Sequence, residues 1–83
     1  MNQTYQFGVF KENSYKEGSK IWKVLKHLQE EGSITSREAI SLYKAARLSG
    51  IIFNLREDGY EIDSINEKGD GAHWVRYEYI GKN

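Results

Sequence analysis

The chain has 83 residues, enough for one small domain with a compact core. It contains no cysteine, which excludes disulfide bridges and thiolate zinc sites, and two histidines are too few for a dedicated metal site without carboxylate help. Twelve basic and twelve acidic side chains give zero formal net charge. No apolar run reaches membrane-spanning length, and the N-terminus lacks the pattern of a signal peptide. We therefore expect a soluble cytoplasmic protein without membrane contact.

Residues 1–18 are a polar N-terminal segment that contains several aromatic residues. The segment YQFGVF (residues 5–10) alternates weakly with a period of two, which predicts either a short extra strand or a flexible N-terminal arm. We favour partial order, because aromatic residues are uncommon in disordered tails. Residues 19–83 are predicted to form the folded domain.

The first helix is predicted to begin after Ser19, a good N-cap residue, and to run to about Glu31 before Gly32 ends it. Its apolar residues recur at helical spacing, which indicates one buried face. Trp22 lies at the edge of this face and is predicted to be buried in the core. The other members of the face are Ile21, Val24, Leu25 and Leu28.

A second, short helix is predicted to begin within the segment GSITSREA (residues 32–39). Thr35 and Glu38 have the spacing of a capping box, in which each side chain accepts a hydrogen bond from the other residue's backbone N–H. Periodicity places Ala39, Ile40 and Tyr43 on its inward side.

No glycine or proline interrupts residues 33–49, so a single helix from Ser36 to Asp58 is an alternative. In such a straight helix the apolar side chains of the first half and those of the second half would point in directions that differ by roughly 120° about the helix axis. One straight helix cannot bury both directions in one small core. We therefore predict a break near residues 44–46 and a third helix from about Arg47 to Asp58, ended by Gly59.

The remaining residues read as a β-hairpin. YEIDSI (60–65) and HWVRYEYI (73–80) are rich in aromatic and β-branched residues, and they flank a predicted loop, NEKGDGA (66–72). Val75, Tyr77 and Tyr79 alternate with polar residues, which predicts one face on the core. Three helices followed by a two-stranded wing, with the possible extra N-terminal strand, make a mainly α, α+β winged helix-turn-helix fold.

The segments GSITSREAI, ARLSGIIFNLREDGYEI and WVRYEYI together resemble the short winged helix-turn-helix DNA-binding domains common in phage and mobile-element genomes. The resemblance covers residues 20–80. It implies a small protein that binds duplex DNA as a regulator or as a packaging or excision accessory factor, not an enzyme and without a cofactor. Members most like this chain tend to have glycine in the turn and threonine as the third-helix cap, where this chain has Lys44 and Ala46.

The outward arc of the third helix supplies the predicted base contacts. Asparagine pairs with adenine, arginine pairs with guanine or phosphate, and small residues permit close approach to a base edge. The alternative is an ordinary solvated helix face. Phe53, off the main apolar stripe, is predicted to close the groove between the third helix and the wing. The predicted DNA-contacting residues on this arc are Arg47, Ser49, Gly50, Asn54 and Arg56.

Four further residues are predicted to contact the DNA backbone or minor groove. Ser36 and Arg37 lie at the start of the second helix, where backbone amides and the helix dipole favour an anion. Lys44 lies in the turn. Lys68 lies in the predicted wing loop, where it would reach a minor groove unless the loop is simply an exposed hairpin tip.

Zero net charge and an acidic C-terminal third also support a protein-binding module on the same fold. Such a module would act as an antirepressor, host-factor inhibitor or assembly adaptor, and a homodimer is a further alternative. An exposed Trp74 would suit a protein contact, unless it covers the N-terminal segment. No nucleophile–base pair and no phosphate-binding glycine loop is present, so the chain is not predicted to be an enzyme.

Overall fold

The computed structural model describes residues 15–82, so the predicted strand or arm at residues 5–10 lies outside the described residues. The described residues form three helices and a three-stranded antiparallel sheet with strand order β1-β3-β2. The elements are α1 (Lys20–Glu31), β1 (Ser33–Thr35), α2 (Ser36–Tyr43), α3 (Leu48–Glu57), β2 (Tyr60–Gly69) and β3 (Ala72–Lys82).

Both predicted ends of α1 are confirmed. The Ser19 hydroxyl accepts a hydrogen bond from the Trp22 N–H at 3.3 Å, and Gly32 ends the helix in the left-handed region at φ 92°. Val24, Leu25 and Leu28 are buried. The prediction for Trp22 was wrong in degree: it is half-buried at the edge of this face, and Lys26 Nζ lies 5.7 Å from the centre of its ring.

Strand β1 was not predicted. It pairs with β3 through Ser33↔Glu78, Ile34↔Tyr77 and Thr35↔Arg76, so the sheet has three strands instead of two. A three-residue strand is too short to show an alternating pattern, and its partner is distant in the sequence. Thr35 ends this strand and also caps α2. Its N–H donates to Glu38 Oε1 at 2.9 Å, and its hydroxyl accepts from the Glu38 N–H at 3.2 Å, which confirms the capping box.

The predicted break between the second and third helices is confirmed. α2 ends at Tyr43, and Lys44 adopts the left-handed conformation at φ 56° and ψ 33°. The chain then turns through the buried Ala45, and α3 begins at Leu48 with Arg47 at its N-cap position. Leu48 can therefore face the same core as α1 and α2.

The core lies between the helices and one face of the sheet. The prediction that Ile40 faces inward was wrong, because its side chain is 50% exposed. α2 has only eight residues, and Ala39 and Tyr43, one helical turn apart, already occupy its narrow inward side. The buried core residues are Val24, Leu25, Leu28, Ile34, Ala39, Ala45, Leu48, Ile52, Leu55, Tyr60 and Ile62.

The wing is longer and its turn tighter than predicted. β2 and β3 pair up to Gly69↔Ala72, and only Asp70 and Gly71, at φ 50° and 79°, connect them. Positive φ at both positions is typical of the type I′ turn that suits the twist of a hairpin. The predicted loop over residues 66–72 was therefore wrong. The predicted core face of the second strand is confirmed for Tyr77 and Tyr79, which pack against the core, whereas Val75 is half-buried nearer the hairpin tip.

Candidate nucleic-acid interface

α3 has one buried side and one open side. Leu48, Ile52 and Leu55 are buried. We use the name open face for the exposed residues on the opposite side of the helix, where a Cβ added at Gly50 would meet no atom within 4 Å. The structure thus leaves this side of α3 accessible to a ligand. The open face consists of Ser49, Gly50, Phe53, Asn54 and Glu57.

Phe53 does not fill the groove between α3 and the wing. Its side chain is 62% exposed, so the packing role predicted for it was wrong. The physical reason is that Arg56 occupies the junction between α3 and the wing. Phe53 instead places an aromatic ring in the middle of the open face.

Arg56 is directed toward the wing. Its Nε donates to the Ile62 carbonyl at 3.0 Å, and its Nη2 donates to the same carbonyl and to the Ser64 hydroxyl. The guanidinium carbon lies 6.0 Å from the centre of the Tyr77 ring, within the range of a cation–π contact. These bonds direct the guanidinium toward the wing and use its Nε and Nη2 donors.

Two cations lie at the turn between α2 and α3, and a third lies at the opposite end of α2. Arg37 lies in the first turn of α2, Lys44 in the turn itself and Arg47 at the N-cap of α3. All three are exposed, and within residues 15–82 none of them makes a hydrogen bond or ion pair through its side chain. Ser36, also exposed, is the first residue of α2. Ser36, Arg37 and Lys44 were predicted to contact the DNA backbone, and Arg47 was predicted to contact a base or a phosphate; all four are exposed.

The predicted wing residue Lys68 lies in strand β2, not in a loop. It is paired with His73, near the tip of the hairpin. Because paired residues share a face and faces alternate along a strand, Lys68 is on the same side of the sheet as Ser64 and Tyr77, where Arg56 from α3 is bound. Lys68 is exposed, as is Asp70 at the tip.

The opposite side of the sheet, which we call the outer face, carries a charged network. Glu67 Oε1 accepts from Trp74 Nε1 at 2.6 Å and from Arg76 Nε at 3.1 Å. The hydrogen bond from Trp74 is the main reason that the pKa of Glu67 lies below its ordinary value, with Arg76 adding to the effect. Arg76 also donates to the Ser33 hydroxyl and lies 3.6 Å from Glu38, so the network joins the wing to β1 and α2.

An open cleft of about 610 Å³ lies between the start of α2 and the wing tip. It brings two of the predicted phosphate-contacting residues, Ser36 and Arg37, next to the hairpin end of the wing. The bonding roles of Arg56 and Arg76 were not predicted from the sequence. For Arg76 the dipeptide Asp70-Gly71 was an available signal, because it is a strong indicator of a two-residue hairpin turn and would have fixed the register that brings Arg76 near Glu67.

Among residues 15–82 there is no group of three or more histidine, aspartate or glutamate side chains placed to hold a metal ion. In the same part of the chain, none of the helices has the length and apolarity needed to cross a membrane.

A family model described as a winged helix-turn-helix domain matches residues 21–77, a span that contains α2, α3, all of α1 except its first residue, and most of the hairpin. The chain therefore belongs to the winged helix-turn-helix domain family. This is consistent with the architecture described above, and DNA binding is what such domains suggest. Neither the curated proteins nor the solved structures contain a match.

Proposed function

We propose that this protein binds duplex DNA, with α3 in the major groove and the start of α2 and the α2–α3 turn on the phosphates. The observation that carries this proposal is the open face of α3 together with exposed cations at its start and at the start of α2. Arg37, Lys44 and Arg47 are exposed and have no partner among the described residues, so their charge is available to neutralise phosphates.

Zero net charge does not by itself conflict with this proposal, because attraction to DNA depends on the local field and not on the sum of the charges. Arg37, Lys44 and Arg47 have no internal partner in the part of the chain described here. They supply the positive charge that the proposed surface requires.

The biological role we propose is that of a regulator or accessory factor of a phage or mobile element, acting in the cytoplasm of its host cell. The protein would not be an enzyme and would need no cofactor. A single domain with few phosphate contacts binds DNA weakly, so we expect dimerisation or repeated binding sites to raise the affinity.

The proposal is tested by a gel-shift assay at low salt with a mixed-sequence duplex. The variant Arg37→Gln/Arg47→Gln removes two of the free cations and should weaken binding several-fold. The matched control is Lys20→Gln/Lys23→Gln, which removes two exposed cations from α1. Equal weakening by both pairs would contradict the proposed surface, and no binding by the unmodified protein at high micromolar concentration would contradict the function.

A protein-binding role is the second candidate, and the outer face of the sheet supports it. Asp63 and Glu78, both exposed, lie directly opposite each other on neighbouring strands, an arrangement that destabilises the isolated sheet. Ile65 and Trp74, 36% and 39% exposed, lie on the same face. An antirepressor, host-factor inhibitor or assembly adaptor could use this surface.

The second candidate is tested by capture of partners from host lysate with the unmodified protein and with Asp63→Lys/Glu78→Lys. A partner that the unmodified protein retains and the variant loses supports this role. Clear DNA binding together with no retained partner rejects it. Sedimentation of the purified protein over a concentration series distinguishes a homodimer from binding to another protein.

A further inference from the structure

We propose that Phe53 is a specificity-determining residue that contacts the 5-methyl group of thymine, so that α3 prefers A·T base pairs. This inference rests on the proposed function, because it requires α3 to enter the major groove. It goes further by assigning the base chemistry that the helix recognises.

The position of Phe53 in the fold is the first observation. The other large apolar residues of α3 are buried or half-buried, whereas the Phe53 ring is 62% exposed in the middle of the open face. Ser49 and Gly50, one helical turn earlier, are too small to cover the ring. The ring can therefore approach a flat surface closely. Covering an exposed aromatic ring with an apolar group is favourable, because apolar surface is removed from water.

The chemistry of the major groove supplies the second step. Among the four bases, thymine alone presents an apolar group there, its 5-methyl group, and phenylalanine is one of the side chains that contact it. The neighbouring residue Asn54 carries an amide, which pairs with the N6 and N7 edge of adenine. An A·T pair offers both features side by side, so adjacent Phe53 and Asn54 match it.

The bonding of Arg56 is the third observation. A free arginine on α3 would favour guanine, but the Arg56 guanidinium is bound to the Ile62 carbonyl and the Ser64 hydroxyl. Arg47 at the helix start is the remaining arginine near the open face. That face therefore presents the Phe53 ring, the Asn54 amide and, one turn further on, the Glu57 carboxylate instead of a guanidinium.

The experiment compares three duplexes of equal length at low salt: alternating A-T, alternating A-U and alternating G-C. Uracil lacks only the 5-methyl group. Unmodified protein should bind A-T more tightly than A-U, by about fourfold for each methyl contacted, the value expected for burying one methyl group. Phe53→Ala should bind A-T and A-U equally, and Phe53→Leu should retain part of the preference.

Other outcomes of this experiment would contradict one or both proposals. Equal binding of A-T and A-U by the unmodified protein overturns the role of Phe53 while the proposed function survives. The same holds if Phe53→Ala weakens binding to all three duplexes alike, or if it abolishes self-association and leaves DNA binding unchanged, because the ring would then be a protein contact. No binding to any duplex overturns both proposals. Circular dichroism of both variants verifies folding, which we expect because the ring is exposed.

Discussion

Replacement of Arg56 by glutamine removes the bonds that hold α3 to the wing. In the folded protein the guanidinium donates to the Ile62 carbonyl and the Ser64 hydroxyl and lies over the Tyr77 ring. We expect two effects: a loss of stability, and weaker DNA binding because the wing is no longer held at a fixed angle to α3. Arg56→Lys is the second variant to compare, since it keeps the positive charge but lacks the planar guanidinium and its several N–H donors.

The magnitude follows from the individual contacts. A hydrogen bond from a charged donor contributes about 1.5–3 kcal/mol, and an exposed cation–π contact contributes about 0.5–1 kcal/mol. Arg56 is largely exposed, so water replaces part of what is lost. We therefore expect Arg56→Gln to lower the free energy of unfolding by about 1.5 kcal/mol, which lowers the Tm of so small a domain by roughly 6–12 °C.

Thermal unfolding and fluorescence anisotropy over a salt series measure the two effects separately. Arg56→Gln and Arg56→Lys should lose similar stability. If Arg56 fixes the wing and touches no phosphate, Arg56→Lys should weaken DNA binding although the charge is retained. An unchanged Tm in Arg56→Gln would refute the structural reasoning. Full DNA affinity in Arg56→Lys with reduced affinity in Arg56→Gln would show that the charge of Arg56 contacts DNA directly.

Three further predictions concern the local geometry. Lys44→Gly should raise the free energy of unfolding by about 0.5–1 kcal/mol in urea titrations, because Lys44 is in the left-handed region, which glycine adopts without strain. The same variant should bind DNA more weakly, because it lacks a cation. A lower free energy of unfolding would contradict this prediction. Thr35→Ala should lower the free energy of unfolding by about 1–2 kcal/mol in the same titrations, since it removes half of the capping box. Ser36→Ala, at the neighbouring exposed position, is the control and should leave this free energy nearly unchanged. The pKa of Glu67 is lowered in the folded state, so Glu67 contributes stability above its ordinary pKa that is lost as pH falls toward the folded value. Glu67→Gln should therefore flatten the acid side of a stability profile between pH 7 and pH 3, and an unaltered profile would contradict this.

The helices were predictable from the sequence because their determinants are local. Ser19 and Gly32 mark the ends of α1, and Thr35 with Glu38 marks the start of α2. The break before α3 followed from the direction of the apolar residues. It did not require a glycine, and Lys44 adopts the left-handed turn conformation at some cost.

The sheet and the details of the site were less predictable because they depend on contacts distant in sequence. Residues 33–35 form strand β1 only because they pair with β3, as in Ile34↔Tyr77. Helical periodicity identified the open face of α3, yet it could not show that Arg56 is bound to the wing, since this depends on where Ile62 and Ser64 lie in space. The exposure of Phe53 follows from the same arrangement.

Binding of a fluorescent duplex measured against salt concentration tests the central claim most directly. If Arg37, Lys44 and Arg47 each neutralise one phosphate, the logarithm of the binding constant should fall with the logarithm of salt concentration with a slope of about −3. A slope near zero, or no binding at high micromolar protein in low salt, would contradict the assignment of this surface to DNA.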